Sequence, residues 1–225
     1  MRFIGHLDIM RFFQKAIRRS GISICYSQGY SPHQIMSFAS PLGVGLTSNG
    51  EYMDIEVEKS ESSKIMCERL NEQMAEGMSI ISCRLLPNNA GNAMSIIAAA
   101  DYSIRFRNGY KPTDMKHFKA ELASFIARDE ITILKKTKKS EKEVDIRPMI
   151  LDISMDNNDT IFMKVLAGSA NNLKPELVMQ ALYIQAGLTL DLYTFEIQRE
   201  ELYADILEEN PKYISLESLG EEIEE

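Results

Sequence analysis

Apolar side chains recur at helical spacing near the start of the chain and alternate along a short segment soon afterwards. A stripe with period 3.6 predicts an amphipathic helix: Ile9, Phe12, Phe13, Ala16 and Ile17. Asp8 is the predicted N-cap of this helix, and Gly21 is the residue expected to end it in a left-handed conformation. A strand, a second strand, a helix and a third strand are then predicted over residues 22–27, 51–58, 62–76 and 78–86.

A similar order of elements returns in the second half of the chain. Strands are predicted over 102–107, 131–134, 144–155, 160–166 and 190–198, and helices from Pro112 and from Pro175. The pattern indicates an α+β protein of two tandem ferredoxin-like (βαββαβ) modules with antiparallel sheets. For the first strand of module one only Met1 to Gly5 is available, which leaves open whether this strand is present or missing.

The predicted organisation therefore has four parts: a first ferredoxin-like module over 1–88, a linker over 89–99, a second ferredoxin-like module over 100–204, and an acidic, disordered tail over 205–225. The formal net charge is −8. Residues 200–225 contain ten acidic residues and one lysine, a local charge of −9, so the other 199 residues carry +1. The acidic composition thus does not count against an anionic partner.

No apolar run reaches 18 residues and no signal pattern begins the chain, so we expect a cytoplasmic protein with no membrane span. The three cysteines, Cys25, Cys67 and Cys83, form no CxxC pair. That spacing argues against a disulfide framework, a zinc ribbon or an iron–sulfur site. No metal site and no cofactor are predicted.

His6 and Asp8 precede the basic face of the first helix, which carries Arg11, Lys15, Arg18 and Arg19. Of these, Arg11, Arg18 and Arg19 are the candidate phosphate ligands. The two residues could form an acid/base pair or bind a metal, and His33 is a third candidate of that kind. The alternative is that Asp8 caps the helix and His6 makes a local hydrogen bond.

The segment Tyr26-Ser27-Gln28-Gly29-Tyr30-Ser31-Pro32-His33 is a candidate binding loop. Tyr26 and Tyr30 could stack on unpaired bases, or the segment could be a long structural loop. A lysine-rich segment lies between two predicted strands and contains Lys135, Lys136, Lys138 and Lys139, with Arg147 after it. It could neutralise several phosphates or be a solvated hairpin tip.

Several blocks of the chain together resemble one bacterial family: RFIGHLDIMRFFQKAIRRSG, YSQGYSPHQIMSFASPLGVG, GEYMDIEVE, KKTKKSEKEVDIRP and AGSANNLKPELV. They are similar to the radical SAM-linked proteins, a domain of unknown function found beside or fused to radical SAM proteins. The resemblance implies a radical SAM protein as a partner. The CxxxCxxC cluster motif is absent, so radical chemistry in this chain itself is not expected.

The leading hypothesis is a non-catalytic RNA-binding or substrate-presenting partner of a radical SAM enzyme in RNA modification. Phosphates would contact the three arginines of the first helix, the four lysines of the lysine-rich segment and Arg147. Tyr26, Tyr30 and His33 would engage a base or the partner. One alternative is a metal-dependent or acid/base hydrolase or transferase that uses His6, Asp8 and His33. A second alternative is a protein–protein adaptor.

Overall fold

The first helix begins two residues before the predicted cap. Helix α1 (His6–Ser20) has Gly5 as its N-cap, and no side chain caps it. Asp8 lies in the first turn, where a carboxylate interacts favourably with the positive end of the helix dipole. The capping prediction for Asp8 is therefore wrong. The prediction for Gly21 is confirmed, because this residue follows the helix with a φ of 73°.

The computed structural model describes residues 2–136, 141–169, 171–205 and 212–224. The other helices in these residues are α2 (Ser63–Asn71), α3 (Ala93–Ile96), α4 (Met115–Ile126) and α5 (Pro175–Gln185). The strands are β1 (Met36–Phe38), β2 (Thr47–Ser48), β3 (Met53–Ile55), β4 (Ile97–Phe106), β5 (Thr132–Lys136), β6 (Glu141–Asp145), β7 (Ile150–Met155), β8 (Ile161–Leu166), β9 (Phe195–Asp205) and β10 (Tyr213–Ser215). No helix among the described residues is long and apolar enough to span a bilayer.

The chain forms two compact units, of which unit 1 comprises Met1–Ile97 and Leu202–Glu225. Five buried residues from α1, α2 and the extended chain between them make a core cluster: Ile17, Ile22, Ile24, Met66 and Leu70. Strand β1 pairs antiparallel with β3. The end of β9 pairs antiparallel with β10. Unit 1 is thus built around α1, with short antiparallel pairs.

Unit 2 comprises Ala98–Glu201 and contains a sheet with the strand order β9-β4-β8-β7, in which β8 pairs antiparallel with both β4 and β7. Phe106 of β4 contacts Phe118 of α4, with ring centroids 5.6 Å apart. Phe195 of β9 contacts Tyr183 of α5 at 5.5 Å, and Phe106 and Phe195 contact each other. Both helices therefore pack on the same face of this sheet. Strands β5 and β6 form a separate hairpin.

The α+β class and the antiparallel sheets are confirmed, whereas the two tandem ferredoxin-like modules are not. Among the described residues of unit 1, the predicted strands over 22–27 and 78–86 make isolated bridges: Ile24 with Val57, Tyr26 with Gln34, and Leu85 with Glu221. A strand becomes regular only where a neighbour runs beside it for several residues. The predicted linker over 89–99 contains α3 and the start of β4.

The C-terminal segment over 212–224 differs from the predicted disorder. Leu216 is buried, and the backbone N–H of Ser63 donates to the carbonyl of Ile223 at 3.0 Å. The N–H of Ile223 donates in turn to the Ser63 hydroxyl at 2.9 Å. Apolar residues among the acidic ones thus attach this segment to unit 1. Residues 206–211 and 225, which belong to the predicted tail, lie outside the described residues.

Candidate functional site

Three basic side chains, Arg11, Lys15 and Arg18, form an exposed row along α1 that we call the basic stripe. Their spacing of four and three residues places them on one side of the helix, over about 10 Å. Arg11 lies 3.5 Å from the carboxylate of Asp8 in an exposed pair, which contributes little stability. Lys15 and Arg18 have no ion-pair partner among the described residues. The stripe can therefore contact anions without first breaking a strong ion pair.

The segment from Tyr26 to Gln34 folds into a hairpin, the tyrosine hairpin, whose first and last residues form an antiparallel bridge. The N–H of Ser27 donates to the carbonyl of His33 at 2.8 Å. The N–H of His33 donates to the Ser27 hydroxyl at 3.1 Å, and that hydroxyl lies 2.8 Å from the Nδ1 atom of His33. Tyr30, in the loop that these contacts close, is fully exposed. The hairpin thus exposes the ring of Tyr30 to solvent, and the hydrogen bonds between Ser27 and His33 close the loop that carries it.

The tyrosine hairpin is attached to α1 beside the basic stripe. The buried side chain of Gln34 donates from Nε2 to the carbonyl of Gln14 at 3.2 Å. Gln14 follows Arg11 by three positions and precedes Arg18 by four, so it neighbours both on the helix surface. The base of the tyrosine hairpin consequently lies next to the basic stripe on α1.

His6, Asp8 and His33 are the three candidates for acid/base or metal chemistry. Among the described residues, each of them contacts a different partner and none contacts another candidate. The ring of His6 packs edge-on against Phe38 at 5.3 Å, whereas His33 contacts Ser27. Phe38 follows Gln34 by four residues, about 13 Å of extended chain. Gln14, the partner of Gln34, follows His6 by eight residues, about 12 Å of helix. Residues 34–38 therefore contact α1 at two places, and His6 lies near one of them whereas His33 lies near the other.

Asp8, the third candidate, is exposed and pairs with Arg11. Among the described residues, no group of three or more His, Cys, Asp and Glu side chains is arranged to hold a metal ion. The thiol of Cys25, at the base of the tyrosine hairpin, has a pKa raised by desolvation and by the nearby carboxylates of Glu56 and Glu58. This thiol stays protonated at neutral pH and does not offer a thiolate nucleophile.

Two predicted phosphate ligands are engaged by other groups. The Arg19 guanidinium donates from Nε to the Gln73 side chain at 3.0 Å. In unit 2, Arg147 donates from Nε to the carbonyl of Arg128 at 3.0 Å and from a terminal nitrogen to the carbonyl of Ile150 at 3.2 Å. Hydrogen bonds to backbone carbonyls suit a structural role. Arg147 thus anchors the chain between β6 and β7.

The lysine-rich segment is described only in part. Lys135 and Lys136 lie in β5 and pair with facing residues of β6. Lys138 and Lys139 lie outside the described residues. Phosphate binding by these four lysines therefore stays a prediction.

A family model of uncharacterized proteins conserved in bacteria (DUF2344) matches residues 1–175. The chain belongs to this family. The matched part of this DUF2344 chain includes the basic stripe, the tyrosine hairpin and unit 2 as far as the start of α5. No curated protein matches the chain. The description of the family states no ligand, partner or reaction.

Proposed function

We propose that this DUF2344 chain is a non-catalytic RNA-binding protein of the cytoplasm that presents RNA to a separate radical SAM enzyme in RNA modification. The observation that carries the proposal is the position of the tyrosine hairpin beside the basic stripe. Cations that neutralise phosphates supply affinity without sequence preference. Exposed aromatic rings add stacking with unpaired bases. The radical SAM partner rests on the sequence blocks that resemble the radical SAM-linked proteins.

The order of elements in unit 2 supports a finer description of its fold. Without the β5–β6 hairpin, the unit has the order strand, helix, strand, strand, helix, strand. Its last strand lies beside its first, as the sheet order β9-β4-β8-β7 records. We infer a single ferredoxin-like module with an inserted hairpin. The finding that unit 1 has short and isolated pairings argues against a second such module.

RNA binding is tested by removing two charges of the basic stripe. Lys15→Gln with Arg18→Gln is expected to weaken binding of structured RNA, such as tRNA, and to reduce the slope of log K against log salt by roughly 1 per residue. Fluorescence anisotropy over a salt series measures both. Lys59→Gln with Lys64→Gln is the matched control, because it removes two exposed charges of unit 1 that do not belong to the stripe.

Two results would count against RNA binding through this surface. One is an equal loss of affinity in the stripe variant and in the control variant. The other is binding that does not depend on salt, since phosphate contacts release counterions. Unchanged thermal unfolding of both variants shows that the comparison concerns binding and not folding.

One observation favours the adaptor as a second candidate function. Phe3, Leu7 and Val44 of unit 1 are large apolar side chains that are mostly exposed. Their segments are connected, because the N–H of Gly45 donates to the carbonyl of Arg2 at 2.7 Å. Such side chains suit a protein partner. Co-purification with the radical SAM protein after RNase treatment, together with no RNA affinity, would favour the adaptor over the RNA-binding protein.

A further inference from the structure

A solvent-open cleft lies in unit 2, at the end of β4 and the start of β9. Its volume is about 480 Å³, and six residues line it: Phe106, Arg107, Asn108, Tyr110, Tyr193 and Glu196. That volume falls within the range of small-molecule sites. None of these residues belongs to the basic stripe or the tyrosine hairpin, so the cleft is a separate candidate site.

The first wall of the cleft is a tight turn after β4. The N–H of Tyr110 donates to the carbonyl of Arg107 at 3.0 Å. Gly109 supplies the positive φ, 85°, that this turn requires. Arg107 is held at both ends, since its N–H donates to the carbonyl of Thr194 at 2.9 Å and its Nε to that of Phe195 at 3.1 Å. Its terminal nitrogens have no partner among the described residues.

The second wall is the turn before β9. The N–H of Thr194 donates to the carbonyl of Asp191 at 3.2 Å, and the N–H of Tyr193 donates to the Asp191 carboxylate at 2.8 Å. Leu192 and Tyr193, at the tip of this turn, are 94 % and 61 % exposed. These hydrogen bonds shape the turn, and both side chains at its tip face solvent.

One residue that lines the cleft, Phe106, belongs to a packed cluster of aromatic side chains. Phe106, Phe118, Tyr183 and Phe195 contact one another in a closed ring of four aromatic side chains, with centroids 5.4–5.7 Å apart. Burial raises the pKa of Tyr183 to about 12, so its hydroxyl is neutral at physiological pH. A ligand in the cleft would thus meet preorganised walls, which lowers the ordering cost of binding.

We propose that this cleft binds one nucleotide, with its base stacked on Tyr110 and Tyr193 and its phosphate on Arg107. Tyrosine rings stack on bases of any sequence, and a guanidinium matches phosphate geometry. The Asn108 amide can donate to and accept from a base edge. A single cation beside a carboxylate does not suit a polyphosphate. The proposal does not rest on RNA binding by the basic stripe.

The test measures binding of AMP, GMP, CMP, UMP and a short single-stranded RNA to the full chain by isothermal titration calorimetry. Tyr193→Leu is expected to lower the affinity roughly fivefold or more, whereas Tyr193→Phe retains it because the ring remains. Leu192→Ala is the matched control, since Leu192 shares the turn but does not line the cleft. The thermal midpoint of each variant shows that it folds.

The source of the nucleotide follows from which probe binds. Binding of a mononucleotide as tight as that of the RNA indicates a free nucleotide, and binding of the RNA alone indicates an unpaired residue in a strand. The proposal is overturned if no probe binds, or if Tyr193→Leu binds like the wild type. It is also overturned if Leu192→Ala is equally harmful, as a protein-docking surface would require. Lys15→Gln with Arg18→Gln should leave mononucleotide affinity unchanged, which separates this test from that of the basic stripe.

Discussion

At the scale of single residues, Asp159 combines an unusual backbone conformation with two ion pairs. It lies in the turn between β7 and β8 with a φ of 61°, in a region that asparagine and aspartate tolerate better than most residues. Its carboxylate contacts the ammonium group of Lys111 and lies 2.7 Å from that of Lys119. The ammonium groups of Lys111 and then Lys119 hold the pKa of Asp159 below its ordinary value.

We predict that Asp159→Asn lowers the stability of the protein at neutral pH but not in acid. A lowered pKa in the folded state stabilises the fold above the ordinary pKa of 3.8. This contribution disappears as the pH falls through the lowered value. Thermal midpoints measured from pH 7 downwards should therefore converge for variant and wild type. Asn157→Ser, in the same turn, is the control, and a gap that widens in acid would contradict the assignment.

At the scale of the element, α1 carries both the basic stripe and the attachment of the tyrosine hairpin, so its ending matters for the site. Gly21 ends the helix in a left-handed conformation. A Cβ atom there would have nothing within 4 Å. Any loss on substitution would consequently come from the backbone conformation and not from a clash.

We predict that Gly21→Ala lowers the free energy of unfolding by about 1 kcal/mol, because alanine adopts a left-handed conformation at a cost. Gly21→Asn should cost clearly less, since asparagine visits this conformation more readily. Urea unfolding monitored by circular dichroism measures both variants. Equal losses for alanine and asparagine would show that the left-handed conformation is not the cause.

The spacing of apolar residues predicts the helices of this protein in which one face is buried. Phe118, Leu122 and Phe125 recur at helical spacing and lie buried along α4. Pro175 begins α5 as predicted. Such helices satisfy their backbone hydrogen bonds internally, so their residues alone indicate the element. The spacing of Lys15 from Arg11 and Arg18 places the three on one face, so the same signal identifies this lysine as a further candidate phosphate ligand.

At the scale of the whole molecule, the C-terminal segment shows how distant parts of the chain complete one unit. Tyr52 and Ser215 hydroxyls lie 3.2 Å apart, and Leu85 and Glu221 form an antiparallel bridge. Leu216 is 5 % exposed. The segment therefore contributes buried apolar surface to unit 1 in spite of its acidic composition.

We predict that Leu216→Ala destabilises the protein by roughly 2–5 kcal/mol, as expected for a truncated buried leucine. Ser218→Ala, at an exposed position two residues later, should change stability by no more than about 0.5 kcal/mol. Urea unfolding of the full chain measures the two. If both variants unfold like the wild type, the segment is a detached tail and its packing on unit 1 is refuted.

The amino-acid sequence by itself determined the α+β class, the helices α1, α4 and α5, and the exposed basic face of α1, because these depend on residues within a few turns of one another. Tertiary structure alone decided the attachment of Gln34 to Gln14, the cleft shared by Tyr110 and Tyr193, and the packing of Leu216. The first two join residues 20 and 83 positions apart, and the segment that carries Leu216 bonds through Ile223 to Ser63, 160 positions away. Such contacts depend on which distant surfaces bury each other, and local spacing carries no record of that choice.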